Sequence, residues 1–338
     1  MGSWFTQIVK FAAKRFNLTF SYVDTIYDAT AGKSVRRWVL LFPGYGCSWA
    51  KEEHGGCYMC GFKSRIEEIT QGRKIPISEL IGIYEVGKSV SRKSMPENLT
   101  IYNGGSFLND DEMPLEVQLE VCKDVSITSG IKTLFVESRP EFVTEEKISL
   151  LVSKLGGKNL KVGLGLECVS DDVRERCINK GLSRKDYEKA VRLLRNNRAE
   201  VLTYVFVKPL CLTEREAISE AIRTTNYAFQ VGSNEVTLEA ALVQRGTKME
   251  EVYRKGDFRP PWLWSVIEVL KATYQLGTVN VGDFTDEPPP VAIPYNCEKC
   301  SSRIVSLFNK YKENHNIEVF GNIDCDCKSI WRESLDKR

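Results

Sequence analysis

Several features are missing from this sequence, and each absence narrows what the chain does. No run of residues is long and apolar enough to span a membrane as a helix. A large excess of one charge is missing as well: 47 Lys and Arg face 45 Asp and Glu, a formal net charge of +2. The chain as a whole therefore neither demands nor excludes a nucleic acid, and such a partner has to be met by local patches. Histidine is scarce, with two residues in 338, and His54 is the one that falls in a cysteine loop. Residues 1–23 contain Lys10, Lys14 and Arg15 but no acid, and Met1-Gly2 with Thr6 fits a myristoylation pattern. Both patterns are short and common, so the expectation here is a helix packed on the domain rather than a targeting segment.

Cysteine, by contrast, is abundant. Of eleven, seven fall into two tight groups, while Cys122, Cys168, Cys177 and Cys211 are scattered and read as buried small hydrophobes. Clustered pairs in a chain with no evident secretory signal read as metal ligands rather than disulfides, which points to a reducing cytoplasm. Hydrophobic residues make up 42% and charged residues 27%, as in an ordinary globular chain.

Strand-like and helical patterns alternate along the sequence. Strands are expected at 38–42, 99–103, 133–137, 162–167, 201–207 and 235–242, rich in β-branched and aliphatic residues as buried parallel strands are. Helical patterns occupy 77–90, 114–128, 144–155, 171–179 with 184–196, 213–229 and 262–276. This rhythm predicts an α/β fold, a partial (β/α)6 barrel of the TIM type. Near Thr285 the character changes: Glu287-Pro288-Pro289-Pro290 reads as a stiff linker to a cysteine-rich tail. The expected organisation is an N-terminal helical extension over 1–35, a barrel over 36–285 and a small zinc-binding domain over 286–338.

The first cysteine group is Cys47, Cys57 and Cys60, spaced C-x9-C-x2-C, with Gly46, Gly55, Gly56 and Gly61 beside the ligands. It follows the first strand, at the end of a β/α barrel where chemistry is done. Three thiolates suit a [4Fe–4S] cluster with one iron left free; zinc, with His54 as fourth ligand, is the rival reading. The second group, Cys297, Cys300, Cys325 and Cys327, joins a C-x2-C to a C-x-C. Two close pairs match a closed structural zinc site, with a second iron–sulfur cluster as the rival. Asn103, Glu137, Arg139 and Glu167 end otherwise apolar strands, and Lys208, Gln244 and Arg245 follow later ones, so all are candidates for the barrel mouth. Lys185, Lys189, Arg192 and Arg195 share a helix face, which reads first as a solvated outer surface and second as a phosphate-binding stripe.

The cysteine loop, with Tyr58 inside its closing C-x-x-C, resembles that of radical S-adenosylmethionine (SAM) enzymes, and Gly104-Gly105 resembles their glycine pair. Ser106 stands where many members have Glu. Gly46-Cys47-Ser48-Trp49, Gly55-Gly56-Cys57-Tyr58-Met59-Cys60-Gly61, Gln244-Arg245-Gly246-Thr247 and Arg259-Pro260-Pro261-Trp262-Leu263-Trp264 together resemble the radical SAM enzymes of archaeosine formation in tRNA. The resemblance implies a [4Fe–4S] cluster on Cys47, Cys57 and Cys60 and SAM held at Gly104-Gly105; by their place at the barrel mouth, Asn103 and Ser106 are further cofactor candidates, Glu137 and Glu167 candidates for SAM ribose or substrate, and Arg139, Lys208, Gln244 and Arg245 substrate candidates. It implies a 5′-deoxyadenosyl radical that abstracts hydrogen from a lysine-modified deazaguanine in the tRNA D-arm, with C–N cleavage and no protein nucleophile. The implied partners are tRNA, a lysine-transferring synthase subunit and an external electron donor. Two other readings stay open: an elongator-like enzyme acting on another tRNA base, and a non-catalytic, metal-stabilised RNA-binding module.

Overall fold

Runs such as Leu160–Leu164, apolar but for Lys161 and Gly163, are buried on both faces and form the centre of one curled sheet. The structure, a computed structural model, describes residues 20–28, 31–51, 53–91 and 94–337. Its eight strands lie in chain order: β1 (Ser21–Asp28), β2 (Lys33–Leu41), β3 (Asn98–Tyr102), β4 (Thr133–Ser138), β5 (Asn159–Glu167), β6 (Glu200–Val207), β7 (Glu235–Ala240) and β8 (Thr278–Val281). β1 pairs antiparallel with β2, and every later neighbouring pair is parallel.

The connecting helices cover the outer face. They are α1 (Phe62–Thr70), α2 (Ile77–Ser91), α3 (Leu115–Ile127), α4 (Glu145–Lys154), α5 (Arg184–Asn196), α6 (Glu214–Val231), α7 (Lys248–Arg254) and α8 (Leu263–Thr273); α9 (Ser301–Asn314) and α10 (Cys327–Ser334) follow β8. α4 begins as expected, with the Thr144 hydroxyl accepting from the Lys147 amide at 3.2 Å. The apolar stripe of α5, formed by Tyr187, Ala190, Val191 and Leu194, is buried, so its Lys and Arg residues face outward.

The partial α/β barrel is borne out, with two strands added. β1 occupies part of the expected helical extension: Ser21–Asp28 is a strand hydrogen-bonded to β2, and the remainder of that extension before Phe20 lies outside the described residues. β8 lies just beyond the stretch read as the last helix. The cysteine-rich tail is not separated from the barrel by its own core. Ile304, Phe308, Phe320, Cys300, Cys327 and Trp331 pack in one buried cluster with Val205, Val236, Leu263 and Val279.

Helix α9 bridges the two edges of the open sheet. Tyr311 donates its hydroxyl to the Val279 carbonyl of β8 at 2.8 Å, and the Ser34 hydroxyl of β2 donates to the Glu313 carbonyl at 3.2 Å. His315, expected in a polar loop, is sandwiched between Tyr27 of β1 and Tyr311, with ring centroids at 4.5 and 5.0 Å. Burial pushes its pKa down to about 4.

Glu214 is a buried polar knot beside this core. Its carboxylate accepts from Lys208 Nζ at 2.5 Å, the Trp262 amide at 2.8 Å and the Ser265 hydroxyl at 2.6 Å, and is 1% exposed. Lys208, expected to reach substrate, is thus engaged in a buried ion pair that joins β6 to α6 and α8. Removing one partner of such a pair strands the other. E214A should lower the unfolding free energy by about 3 kcal/mol in urea titrations; a loss below about 1 kcal/mol would show that Lys208 finds water or another partner.

Candidate active site and metal centre

The loop carrying the first three cysteines is held from several sides. Gly46, Gly55 and Gly56 take positive φ, and the Cys60 amide donates to the Cys57 carbonyl at 3.0 Å, folding the C-x-x-C back on itself. Trp49 Nε1 donates to the Asn179 carbonyl at 2.8 Å, and Asn179 Nδ2 donates to the His54 and Gly56 carbonyls, both at 2.8 Å. The Tyr58 amide donates to the Ile178 carbonyl at 2.8 Å, and the Met249 amide to the Tyr58 carbonyl at 3.0 Å.

Burial raises all three thiols, Cys60 to about 12, so a metal's positive charge is what would hold them as thiolates. Cys60 feels the charges of Cys57 and Cys47, and Lys180 and Arg139 pull Cys57 the other way. These three sulfurs and His54 do not form a cage for a single ion among the described residues, and the His54 ring lies stacked on Trp49 at 4.3 Å. A cluster, in which each thiolate takes a different iron, suits that wider set better than one zinc ion does.

The glycine loop after β3 lies against the cysteine loop. Ser106 is fully buried; its hydroxyl accepts from the Arg139 amide at 3.2 Å. The Arg139 guanidinium pairs with Glu141, donates to the Gly181 carbonyl at 3.1 Å and lies 5.1 Å from the Trp49 ring. Asn103 is fully buried against Gly44, and neither end of its carboxamide has a partner. Gln244 packs over Gly61 and donates to Asp286 at 3.0 Å, while Arg245 is exposed.

Inside the sheet the lining is acidic. Gly163 and Gly165 of β5 leave room that larger side chains occupy: a Cβ on Gly163 would lie 3.0 Å from the Tyr204 ring and 3.4 Å from Glu137, and one on Gly165 would strike Glu167 and Lys180. Tyr204 donates to Glu137 at 2.5 Å, and Lys180 Nζ to Glu167 at 2.8 Å. Burial disfavours the Lys180 charge, but Glu167 and Cys57 outweigh it and hold the ammonium above its ordinary range. Burial pushes Glu137 up to about 7, against the Tyr204 hydrogen bond, which lowers it. Glu239 of β7 belongs to the same set, and neither it nor Glu137 makes an ion pair among the described residues. Sequence reasoning missed Glu239 and Lys180. A signal for the first was present: Glu235, Thr237 and Glu239 are polar at every second position of an otherwise apolar strand, one face of β7.

The second cysteine group forms a compact cage. The four sulfurs lie within 4.8 Å of one another, with Cys297–Cys300 at 3.5 Å and Cys297–Cys325 and Cys300–Cys327 at 3.6 Å. Four thiolates about 2.3 Å from one ion at tetrahedral angles stand roughly 3.8 Å apart, so the cage fits a single metal ion. Trp264 Nε1 points at Cys327 Sγ from 3.4 Å, an outer contact that steadies the ligand. Of the scattered cysteines, Cys122 and Cys168 are buried as expected, whereas Cys177 and Cys211 are joined as a disulfide, Cα–Cα 5.3 Å.

No family model matches the sequence. Individual relatives do. Archaeosine synthase subunit beta of Methanosarcina acetivorans is 30% identical over 316 residues, 91% of this chain and 88% of that protein. The chain belongs to the archaeosine synthase subunit beta family. The Thermococcus kodakarensis member of this family is 26% identical over 91% of the chain and 94% of its own length. An uncharacterized protein of Methanocaldococcus jannaschii is 32% identical over 93% of the chain and 85% of its own length. Among solved structures, archaeal Elp3 of Methanocaldococcus infernus superimposes with a TM-score of 0.50 at 17% identity, over 69% of this chain and 58% of that one, a likeness of fold. The three-cysteine loop of this family member thus sits on a sheet that shares its fold with that structure. The relatives' name, a subunit, implies a partner subunit. No described helix is long and apolar enough to cross a membrane.

The lining makes a pH signature. Burial, with Glu167 and Glu137 nearby, pushes the Glu239 carboxyl up to about 8 from an ordinary 4.5. The folded chain keeps a proton that the unfolded chain has released, so Glu239 costs increasing stability as pH rises from about 4.5 to about 8. In urea titrations the advantage of E239Q over the parent should grow across that window and level off above it. An advantage that is flat with pH would mean Glu239 ionises normally.

Proposed function

We propose that this chain is the radical-forming subunit of archaeosine synthase, acting on a lysine-modified deazaguanine in the tRNA D-arm and cleaving its C–N bond. The observation that carries the proposal is the match to archaeosine synthase subunit beta along 91% of the chain. Cys47, Cys57 and Cys60 would hold the [4Fe–4S] cluster. Gly104, Gly105 and Ser106 would bring backbone groups to SAM. When bound, the cluster with SAM supplies one-electron cleavage of the sulfonium and, through it, hydrogen abstraction from the substrate.

The chain's own side chains suit the substrate side of this reaction. Glu137 and Glu239 are carboxylates without an ion-pair partner among the described residues, and they lie inside the curl of the sheet. A lysyl ammonium entering there would restore their charge, which fits a cationic substrate arm. Lys180 and Glu167 compensate each other and would keep that side of the chamber neutral and rigid. Arg139, tied to Gly181 and stacked near Trp49, would brace the cysteine loop from the same mouth. The base has to be unstacked from the tRNA to reach this interior. An external donor would supply the electron, in the cytoplasm, and the lysine-transferring subunit would prepare the tRNA.

The decisive experiment is anaerobic incubation of the reconstituted protein with SAM, a reductant and tRNA bearing the lysine-modified base, followed by nucleoside analysis. Archaeosine and 5′-deoxyadenosine should appear together. Deoxyadenosine without archaeosine would reject the substrate, and the absence of both, with the partner subunit present, would reject the chemistry.

For the second cysteine group we propose structural zinc, on the fit of four thiolates to one tetrahedral ion. Metal analysis should find zinc in the purified chain. C300S and C327S should lose it and melt at lower temperature, because both cysteines lie in the core shared with α8. Iron and sulfide bound in the variant lacking Cys47, Cys57 and Cys60 would instead indicate a second cluster.

A further inference from the structure

One buried carboxylate touches both halves of the proposed cofactor site and belongs to neither. Glu112 lies in the loop before α3 and is 1% exposed. Its Oε1 accepts from the Ser48 amide at 2.9 Å, the Ser48 hydroxyl at 2.7 Å and Asn109 Nδ2 at 2.9 Å. Its Oε2 accepts from the Ser106 amide, and its main-chain carbonyl accepts from the Tyr45 amide at 2.9 Å. No cation pairs with it among the described residues. Four donors converge on two oxygens, which is what satisfies a carboxylate buried without a counter-charge.

These donors come from different segments. Ser48 follows Cys47 and begins the helical turn Ser48–Lys51, while Ser106 follows the glycine pair. The carboxylate fills the gap between the loops so closely that Gly105 has room for no side chain: a Cβ there would lie 2.4 Å from Glu112 Oε2 and 3.1 Å from the Cys47 amide. The glycine is required by what stands opposite it. Loop-to-loop distance is therefore set by one side chain with a fixed reach.

We propose that Glu112 is a positioning residue: a clamp that fixes the first cluster-ligating cysteine against the glycine loop, and so the cluster against SAM. It touches no reacting atom. The proposal rests on the cofactor assignments of Cys47 and of Gly104 to Ser106 made above. The clamp itself can be read without either cofactor.

The test uses the full chain, with and without cluster. In E112Q the amide NH2 must face either the Ser106 amide or the Ser48 donors, so one anchor is lost whichever way it turns. In the metal-free protein, hydrogen exchange at the Ser48 and Ser106 amides should quicken by about tenfold or more, while amides of β4 to β6 keep the parent rates. S48A, which removes a single contact to Oε1, should quicken exchange at Ser106 by roughly threefold, across two separate loops, through the shared carboxylate. In the reconstituted protein, E112Q should keep the parent's iron and sulfide content but bind SAM about tenfold more weakly.

Exchange at Ser106 unchanged in both variants would overturn the clamp, as would parent-like SAM affinity in a cluster-loaded E112Q. If E112Q fails to fold, S48A alone decides. If the parent protein takes up no cluster, the cofactor assignments fail while the exchange result still reads the clamp.

Discussion

An open sheet has two edges, and most of this molecule follows from how they are covered. Seven parallel strands curl without closing, so the backbone groups of β1 and β8 would otherwise face solvent or another chain. Helix α9 lies across the gap, tied to β8 through Tyr311, to β2 through Ser34 and to β1 through the ring stack on His315. Cys300 stands at the N-cap of that helix, so the cysteine cage and the cover of the sheet edges are joined. The tail, which reads as an appendage, shares a buried cluster with the later strands and α8.

The chamber's electrostatics are lopsided by the same construction. Towards the amino ends of the strands, Lys161 is neutralised by Glu235 at 2.6 Å and Glu200 at 3.2 Å, plugging the floor. Higher up, Lys180 pairs with Glu167, while Glu137, held by the Tyr204 hydroxyl, and Glu239 have no ion-pair partner among the described residues. A barrel built for stability alone would fill these positions with Val or Leu. The uncompensated acids are a cost in folding that makes sense where a positive group is to be received.

What was legible in the sequence was whatever is encoded locally. The two cysteine groups declare themselves by spacing, and β2 to β7 by their apolar runs. β1 was missed because its residues are only partly buried along much of the strand, so its pattern is weak. β8 was missed because it has only four residues, too few to show a pattern. Glu112 finds Ser106 and Asn109 nearby in the chain, but its partner Ser48 lies 64 residues away, and the link between the loops is visible only once they meet. Lys208 shows the converse, a contact that its own position does not announce. Its strand-end position suggested substrate, but Glu214 six residues on claims it, in a pairing that depends on where α8 lies.

The position of α9 also has a consequence in time. A ribosome releases the chain from its amino end, and the whole sheet through Val281 precedes the first residue of α9. Until the segment after β8 emerges and its four thiols gather, β1 and β8 remain bare and the acidic interior stays open to water. The two sheet edges are thus covered only after every strand of the sheet has been made.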